Sequence, residues 1–425
     1  MGLEAPPLTT MIADPGAKGQ FKRWLFSPPR PHGAVIKDRT VSNLELFYDL
    51  VYVAVIGQAS HHLAESISLR SFVEFAILFT MIWFAWFNGS LYIELHGRED
   101  GRTRLQVFFQ MGILALLAVF TADAAGSTGP QFATVYAIFL AFMGFQWYAI
   151  RELDRVERPE FLRITAFYVG GMALSTIVVG ATAFFSDATL RLVVWAAFAA
   201  GWLAFIQLGA RSGRQAEGIL PTDSLVERFG LFTIIVLGEV ILGVVAGLSA
   251  AGPDALTIAT GSLALVIGFG LWWIYFDLVG RRLPRPGGPI WTWMLSHLPI
   301  QASIVAAGAA IVSLIEHAHE PTTPPATALL LGGSVALGLL ALIVTERSLE
   351  DAVRLESVYR PMGAVLAVGA VIAVLVGWLA PAPWILAGLL VAILTALWFF
   401  VVVRMIRAGV WGETLAPLET ASAEN

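Results

Sequence analysis

Long apolar runs constrain this chain more than any other feature. Runs of roughly 18 residues or more recur from residue 44 to residue 403. As helices rising about 1.5 Å per residue, they are long enough to cross a hydrocarbon core of about 30 Å. Only 13% of the 425 residues are charged, whereas soluble domains carry about 25%. The sequence therefore predicts an all-α polytopic membrane protein.

Polar breaks divide the apolar runs into twelve predicted transmembrane helices. Turn-forming pairs such as Gly129-Pro130 and Gly252-Pro253 mark several of these breaks. The predicted helices cover residues 44–65, 71–95, 104–125, 131–150, 161–184, 189–210, 225–249, 256–280, 292–316, 326–346, 361–379 and 383–406.

Lysine and arginine give an orientation, because cytoplasmic connections are enriched in both. With the N-terminus inside, basic residues fill every second connection, Arg228 lies at an inner helix end, and only Arg70 and Arg191 of the 26 lie outside. This predicts a multi-pass inner (plasma) membrane protein with cytoplasmic termini and the lipid bilayer as its partner. Residues 1–40, rich in proline and without a signal-peptide-like apolar stretch, and residues 409–425 are predicted to be cytoplasmic tails, the first one flexible.

Two motifs recur at corresponding helices and predict an internal duplication. The pattern Ser42-x-x-Glu45-x-Phe47 returns as Ser224-x-x-Glu227-x-Phe229 in the seventh predicted helix. The pattern WFAWFN of the second helix, which ends at Asn88, resembles WWIYFD of the eighth, which ends at Asp277. We therefore expect two six-helix halves in parallel orientation, residues 41–215 and 216–408, an arrangement found in many secondary transporters.

Carboxylates inside the apolar runs are the main candidates for a site. Glu45 and Glu227 each follow a serine by three residues, so they either cap a helix or take part in function. Asp49 lies one turn deeper than Glu45 and has no such capping role. Glu239 lies about 18 Å along the helix from Glu227, within a purely apolar stretch. An ionisable group at that depth costs several kcal/mol unless it faces a polar interior or a partner. Glu239 is therefore either a pathway residue or a hydrogen-bonded packing residue.

Four further polar residues are weaker candidates for a substrate or ion pathway. Arg228 directly follows Glu227, and Asp277 either pairs with Arg281 and Arg282 or has a function. Asn88 is the uncharged counterpart of Asp277. His297, two residues before the helix-kinking Pro299, is a proton relay or a packing residue.

Several chemistries find no support in the sequence. There is no cysteine, and the nucleotide-binding, metalloprotease and serine-hydrolase motifs are missing. The group Glu316, His317, His319 and Glu320 could suggest a metal, but a solvated loop explains it better. No basic surface suggests nucleic acid, so we predict no cofactor, no metal site and no catalytic residues.

The stretches LELFYDLVYV and ERFGLFTIIVLGE resemble the bacterial low-temperature-requirement A family of integral membrane proteins. The resemblance covers about residues 38–408, and the Phe47-Tyr48 pair departs from the Phe-Phe common in the family. It implies a multi-spanning bacterial inner-membrane protein, named for a growth phenotype in the cold, with no established reaction or substrate. The positions that match the motifs are Glu45, Phe47, Asp49, Glu227, Arg228, Phe229, Gly238 and Glu239.

Three functions remain open from these residues. The first is a secondary transporter of a small solute, with proton coupling through Asp49 or Glu239 and with the carboxylates lining one central polar path. The second is a non-transporting membrane sensor or lipid-interacting scaffold. The third is an intramembrane enzyme acting on lipid through Asp49, Glu239 and His297. We favour the transporter and expect that the protein is not an enzyme; the substrate and the oligomeric state do not follow from the sequence.

Overall fold

The computed structural model describes residues 16–34, 36, 39–211 and 220–409, and within them it is all helical, with no β-strand. The helices are α1 (Gly16–Phe26), α2 (Asn43–Glu65), α3 (Leu69–His96), α4 (Gly101–Thr121), α5 (Gly129–Glu157), α6 (Leu162–Ala181), α7 (Ala188–Arg211), α8 (Asp223–Ala251), α9 (Ala255–Leu278), α10 (Gly288–Glu316), α11 (Pro325–Glu346), α12 (Glu356–Leu379) and α13 (Pro383–Arg407).

The helices α2 to α13 coincide with the twelve predicted helices, which confirms the fold class. Eleven of them are long and apolar enough to cross a membrane. The exception is α2, which has 23 residues but carries Glu45, Asp49 and two histidines. It packs against α3, α4, α8 and α10, and its opposite face, with Phe47 and Leu50, is exposed. The chain is therefore a multi-pass membrane protein in which α2 turns its two carboxylates toward other helices.

Residues 16–34 of the N-terminal segment pack on the other helices, and the flexibility of the tail stays a prediction. The ring of Trp24 in α1 packs over Gly101 at the start of α4. The Arg30 guanidinium donates to backbone carbonyls at the end of α3, among them Gly97 O at 2.6 Å. His32 Nδ1 lies 2.9 Å from the Asp154 carboxylate near the end of α5. Residues 1–15 and the predicted C-terminal tail beyond residue 409 lie outside the described residues.

Two ends of the bundle differ in charge. We call the end that carries the connections α3–α4, α5–α6, α9–α10 and α11–α12 the basic end, because most of the described arginines lie there. Backbone bonds join these connections, as in Arg285 N–H to Ser348 O at 2.8 Å. At the opposite end, Thr323 N–H donates to Pro381 O at 2.9 Å. The N-terminal segment packs on the basic end.

The two sets of six helices have matching neighbours. In the first set, α2 packs on α3 and α4, α4 on α5, α5 on α6, α6 on α7, and α3 on α7. In the second set, α8 packs on α9 and α10, α10 on α11, α11 on α12, α12 on α13, and α9 on α13. Each of these contacts in one set has its counterpart in the other, whereas the contact of α9 with α10 has none of similar size between α3 and α4. This supports the duplication, which stays a prediction; its boundary at residues 215 and 216 lies outside the described residues.

Candidate functional site

The start of α2 supplies two carboxylates to one face. Ser42 and Glu45 form the predicted capping box, because the Glu45 N–H donates to Ser42 Oγ and the Ser42 N–H donates to Glu45 Oε1 at 3.2 Å. Asp49 lies one turn further along the helix, on the side that meets α8. Glu45 therefore caps the helix and also keeps an oxygen for a second partner.

Arg228 of α8 is that partner and binds both carboxylates. Its Nη1 donates to Glu45 Oε2, and its Nη2 lies 3.3 Å from Asp49 Oδ1. Arg228 and Asp49 are 0% exposed and Glu45 is 3% exposed. A charged group buried to this degree needs a paired partner, because taking ions out of water costs several kcal/mol each. The three side chains form a buried ion cluster across the boundary between the two sets of helices.

Two further charged residues, Arg39 and Glu94, extend this cluster toward the basic end. Arg39 Nη2 donates to both Glu45 oxygens, at 2.8 and 2.9 Å, while its Nη1 binds Glu94 at the end of α3. The hydroxyls of Thr222 and Ser224 each donate to Glu94 Oε1 at 2.8 Å. The start of α8 is thereby held against the end of α3.

The predicted second capping box is wrong, and these contacts give the reason. Helix α8 begins earlier than predicted, with Thr222 as its N-cap, whose Oγ1 accepts the Leu225 N–H at 3.2 Å. Ser224 is therefore inside the first turn and gives its hydroxyl to Glu94. Glu227 is exposed, and its Oε2 accepts the Val41 N–H at 3.1 Å.

One carboxylate oxygen of the cluster is left without a partner. Ion pairs join the carboxylates of Glu45, Asp49 and Glu94 to the guanidiniums of Arg39 and Arg228, and a third guanidinium, of Arg30, donates to the Glu94 backbone oxygen. Asp49 Oδ2 is buried and has no hydrogen-bond partner. A cavity of about 1220 Å³ opens at the basic end, and its wall includes both Arg39 and Glu45. The cluster thus has an unsatisfied acceptor just behind a cavity wall, where a proton or another cation would be stabilised.

Aromatic rings cover the inner side of the cluster. Trp86 Nε1 donates to Asp49 Oδ1 at 2.9 Å, and its ring stacks on Phe232 with centroids 3.9 Å apart. Beyond them, Trp83 Nε1 donates to Gln301 Oε1 at 2.6 Å, and Gln301 Nε2 donates to Thr233 Oγ1 at 3.1 Å. Trp83 and Gln301 therefore form a hydrogen bond between the two sets of helices, among packed aromatic rings and further inward than the ion cluster.

Glu239 lies apart from the cluster, near the middle of α8. It is 5% exposed, and its Oε1 is 3.4 Å from the point where a Cβ on Gly57 of α2 would lie. On the other side of α8, a Cβ on Gly308 of α10 would lie 2.7 Å from the Glu239 backbone oxygen. Glu239 therefore occupies the crossing of α2, α8 and α10, inside the protein and away from lipid.

Two other predicted residues, Asn88 and Asp277, have partners outside the ion cluster. Asn88 Oδ1 accepts the Tyr168 hydroxyl. Asp277 Oδ2 accepts Trp398 Nε1 at 2.9 Å and forms no salt bridge with Arg282, which binds Asp351 instead.

His297 is likewise held by local contacts. Its Nδ1 donates to Trp293 O at 2.7 Å, which leaves Nε2 to accept the Tyr275 hydroxyl at 3.0 Å. The structure brings together Glu45, Asp49 and Arg228; the other predicted pathway residues, Glu227, Glu239, Asn88, Asp277 and His297, lie at separate positions.

Sequence reasoning missed several members of the site. Arg39 and Glu94 resemble ordinary charged residues at helix ends, and no local pattern links them to Glu45. Gln301 had a usable signal, because an amide inside a long apolar helix needs an internal partner. Among the described residues, no group of three or more His, Asp or Glu side chains is arranged to hold a metal ion. His319 instead lies 2.6 Å from Asp254.

Comparison with known proteins adds a family to this geometry. An uncharacterized protein of Rhizobium meliloti (strain 1021) is 26% identical over 313 residues, which cover 68% of this chain and 73% of that protein. The family model described as bacterial low temperature requirement A protein matches residues 40–408, a range that contains α2 to α13 and the whole buried ion cluster apart from Arg39. The chain therefore belongs to the bacterial low temperature requirement A protein family.

Proposed function

We propose that this protein is a secondary transporter of a small solute, coupled to protons, and that the buried ion cluster forms its gate at the basic end. The observation that carries the proposal is Arg228, fully buried between the carboxylates of Glu45 and Asp49 on the other set of helices. Intramembrane charges of this kind mark substrate and ion pathways.

Several contacts between the two sets of helices at the basic end are polar. Arg228 reaches Glu45 and Asp49, Thr222 and Ser224 reach Glu94, and Glu227 accepts the Val41 N–H. Polar contacts of this kind re-form with new partners or water when two bundles rock, which is how alternating access works in transporters built from repeats. The cavity of about 1220 Å³ on the outer side of the cluster would then be the entry at this end.

A coupling ion would bind at the unsatisfied oxygen of the cluster. Asp49 Oδ2 is buried and has no donor. Binding of one proton or one monovalent cation there would give this oxygen a partner and weaken the attraction of Asp49 for Arg228. Its release would restore the attraction of Asp49 for Arg228, so that occupancy and gate closure are linked.

We further infer that the basic end faces the cytoplasm of a bacterial cell and that both termini lie there. The support is the enrichment of cytoplasmic connections in arginine and lysine. The described arginines follow this rule with the exceptions of Arg70 and Arg191.

The intramembrane enzyme is a weaker alternative on geometric grounds. It needs Asp49, Glu239 and His297 to act on one substrate. The ring of Phe229 lies between Trp86, which binds Asp49, and His297, with centroid distances of 5.0 and 4.9 Å. Glu239 lies at a different helix crossing. For a sensor or scaffold, the family name, which concerns growth in the cold, is the only support.

The test is ion and solute flux in liposomes. The purified chain would be reconstituted with a trapped pH-sensitive dye, given a potassium diffusion potential with valinomycin, and exposed to panels of amino acids, sugars and organic cations. We expect at least one solute class to cause a change of internal pH that depends on the protein. Asp49→Asn should abolish this change, and Asp223→Asn, the same substitution at an exposed residue of α8, should preserve it.

Two outcomes would contradict the proposal. If no panel moves protons or solute above protein-free liposomes, the transporter function fails. If Asp49→Asn is folded and transports like the wild-type chain, the cluster is not the coupling site. Thermal unfolding and gel filtration of each variant would establish that the variant is folded before its flux is interpreted.

A further inference from the structure

A second cavity lies at the basic end, away from the ion cluster. It encloses about 380 Å³ between the α9–α10 connection, the end of α11 and the start of α12. Three arginines line it: Arg285, Arg347 and Arg360. These come from three different segments of the chain, so the fold, and not one basic run, brings them to one cavity.

None of these three arginines has an acidic partner within salt-bridge distance among the described residues. Arg285 Nη2 donates to the Arg347 backbone oxygen at 2.7 Å, and Arg285 Nε is buried with no acceptor. Asp351 of the α11–α12 connection is bound by Arg282 and by the Tyr359 hydroxyl at 3.0 Å. The buried Nε of Arg285 and the exposed guanidiniums of Arg347 and Arg360 thus surround one cavity without a carboxylate of the described residues on any of them, which is the donor set that binds a phosphate.

The cavity wall also contains acceptors. Glu346, the last residue of α11, is 2% exposed, and its Oε2 has no hydrogen-bond partner. Glu356 of α12 lies on the same wall and is exposed. A phosphodiester group alone would pair with the arginines but has no hydrogen to donate to Glu346. The wall therefore fits a ligand that carries a phosphate and, close to it, a hydroxyl or ammonium donor.

The position of the cavity identifies the source of such a ligand. The apolar run of α11 ends at Glu346, the apolar run of α12 follows Arg360, and Val353 beside the cavity is 69% exposed. This is the level at which the headgroups of a bilayer lie, and basic pockets between transmembrane helices at this level bind lipid headgroups.

We propose that this cavity binds a phospholipid headgroup, with Arg285, Arg347 and Arg360 on the phosphate and Glu346 accepting a hydrogen bond from the hydroxyl or ammonium group of the headgroup. The site is separate from the ion cluster and does not depend on the transport function. Enrichment of arginine at this end of the bundle explains basic residues in general, but it does not explain three unpaired arginines around one cavity.

The experiment uses the full chain, purified in detergent and stripped of lipid. Its thermal unfolding would be followed while phosphatidylglycerol, phosphatidylethanolamine, phosphatidylcholine or inorganic phosphate is added, and retained lipid would be counted by native mass spectrometry. We expect phosphatidylglycerol or phosphatidylethanolamine to raise the unfolding midpoint at a concentration at least tenfold lower than phosphatidylcholine needs. The reason is that the phosphatidylcholine headgroup has no hydrogen-bond donor. Inorganic phosphate should have little effect.

Variants separate this site from general attraction to a charged surface. The Arg347 and Arg360 side chains are exposed and form no hydrogen bond or ion pair among the described residues, so the double variant Arg347→Gln/Arg360→Gln should fold and lose at least tenfold in apparent lipid affinity. Arg354→Gln is the matched control, since Arg354 is exposed in the same connection but outside the cavity wall. Equal protection by phosphatidylcholine, saturation by phosphate alone, equal loss in Arg354→Gln, or no loss in the double variant would each overturn the proposal.

Discussion

Arg228 Nη2 lies 3.3 Å from Asp49 Oδ1, while Nη1 of the same guanidinium binds Glu45. One side chain of α8 therefore holds two carboxylates that are one turn apart on α2. This explains why α2 begins with two acids when a helix cap needs only one. The pair also ties the two sets of helices together where neither side chain reaches water.

Removing Arg228 should be among the most damaging single substitutions in the chain. Arg228→Gln leaves Asp49 buried with only the Trp86 N–H as a partner. Breaking a buried pair in this way costs about 3–5 kcal/mol, so the midpoint of thermal unfolding in detergent should fall sharply. The double variant Arg228→Gln/Asp49→Asn removes the orphaned charge and should recover a large part of the loss. A double variant as unstable as the sum of the two single variants would show that the residues act independently.

Much of the fold, and part of the site, could be predicted from the sequence. The twelve helices follow directly from apolar runs, because in a membrane every backbone group must be paired within its own helix. Helix α5 continues seven residues beyond its predicted end at residue 150. Its last turns are charged and lie outside the apolar run, but they remain helical, and both Arg151 and Arg155 form salt bridges with Glu152 there. The pairing of Asp49 with Arg228 could not be predicted, because no periodicity specifies which helices meet.

The same limit explains the residues that were missed or misplaced. In its local sequence Glu94 resembles an ordinary charged residue at a helix end. It accepts a hydrogen bond from Ser224 because α3 packs on α8. The apolar neighbours of Glu239 in the sequence predict that it is buried, and its side chain is buried. Its separation from Arg228 follows from their spacing on one helix, but a single sequence does not show that α2 and α10 are the helices that cover Glu239.

Close contact between α8 and α10 depends on two glycines. A Cβ on Gly243 would lie 2.3 Å from Gly308 O, and that oxygen cannot move without shifting α10. We therefore expect Gly243→Ala to lower the free energy of unfolding by about 1–3 kcal/mol. Gly238→Ala, with open space at its Cβ, is the matched control and should leave stability unchanged or raise it by up to about 1 kcal/mol. Equal unfolding midpoints for the two variants would contradict this close packing.

Gln301 should contribute to stability through both of its hydrogen bonds. Gln301→Leu removes the acceptor of Trp83 Nε1 and the donor to Thr233 Oγ1, all in the buried interior. An orphaned buried donor costs about 1–3 kcal/mol. The variant Trp83→Phe removes that donor, so Gln301→Leu should be less damaging in the Trp83→Phe background. Identical losses in both backgrounds, measured by thermal unfolding, would mean that the Trp83 bond contributes nothing.

Acid should selectively weaken the start of α9. The Thr257 backbone N–H and His319 lower the pKa of Asp254 to about 2, below its usual range. A carboxyl group with a lowered folded-state pKa stabilises the fold above its unfolded pKa, near 4, and loses this effect as the pH falls toward 2. We expect the wild-type chain to exceed Asp254→Asn in unfolding midpoint at pH 6 and to match it near pH 2. A difference that stays constant with pH would contradict the lowered pKa.

Neutralising Glu239 tests whether the proton path extends beyond the cluster. Glu239→Gln has nearly the same shape, so the crossing with Gly57 and Gly308 should stay packed and the protein folded. If protons pass between Asp49 and Glu239, this variant should lose coupled flux in the liposome assay while unfolding at a wild-type temperature. Glu316→Gln, the same change at an exposed helix end, should transport normally. Unchanged flux in Glu239→Gln would remove Glu239 from the proton path and assign it to packing alone.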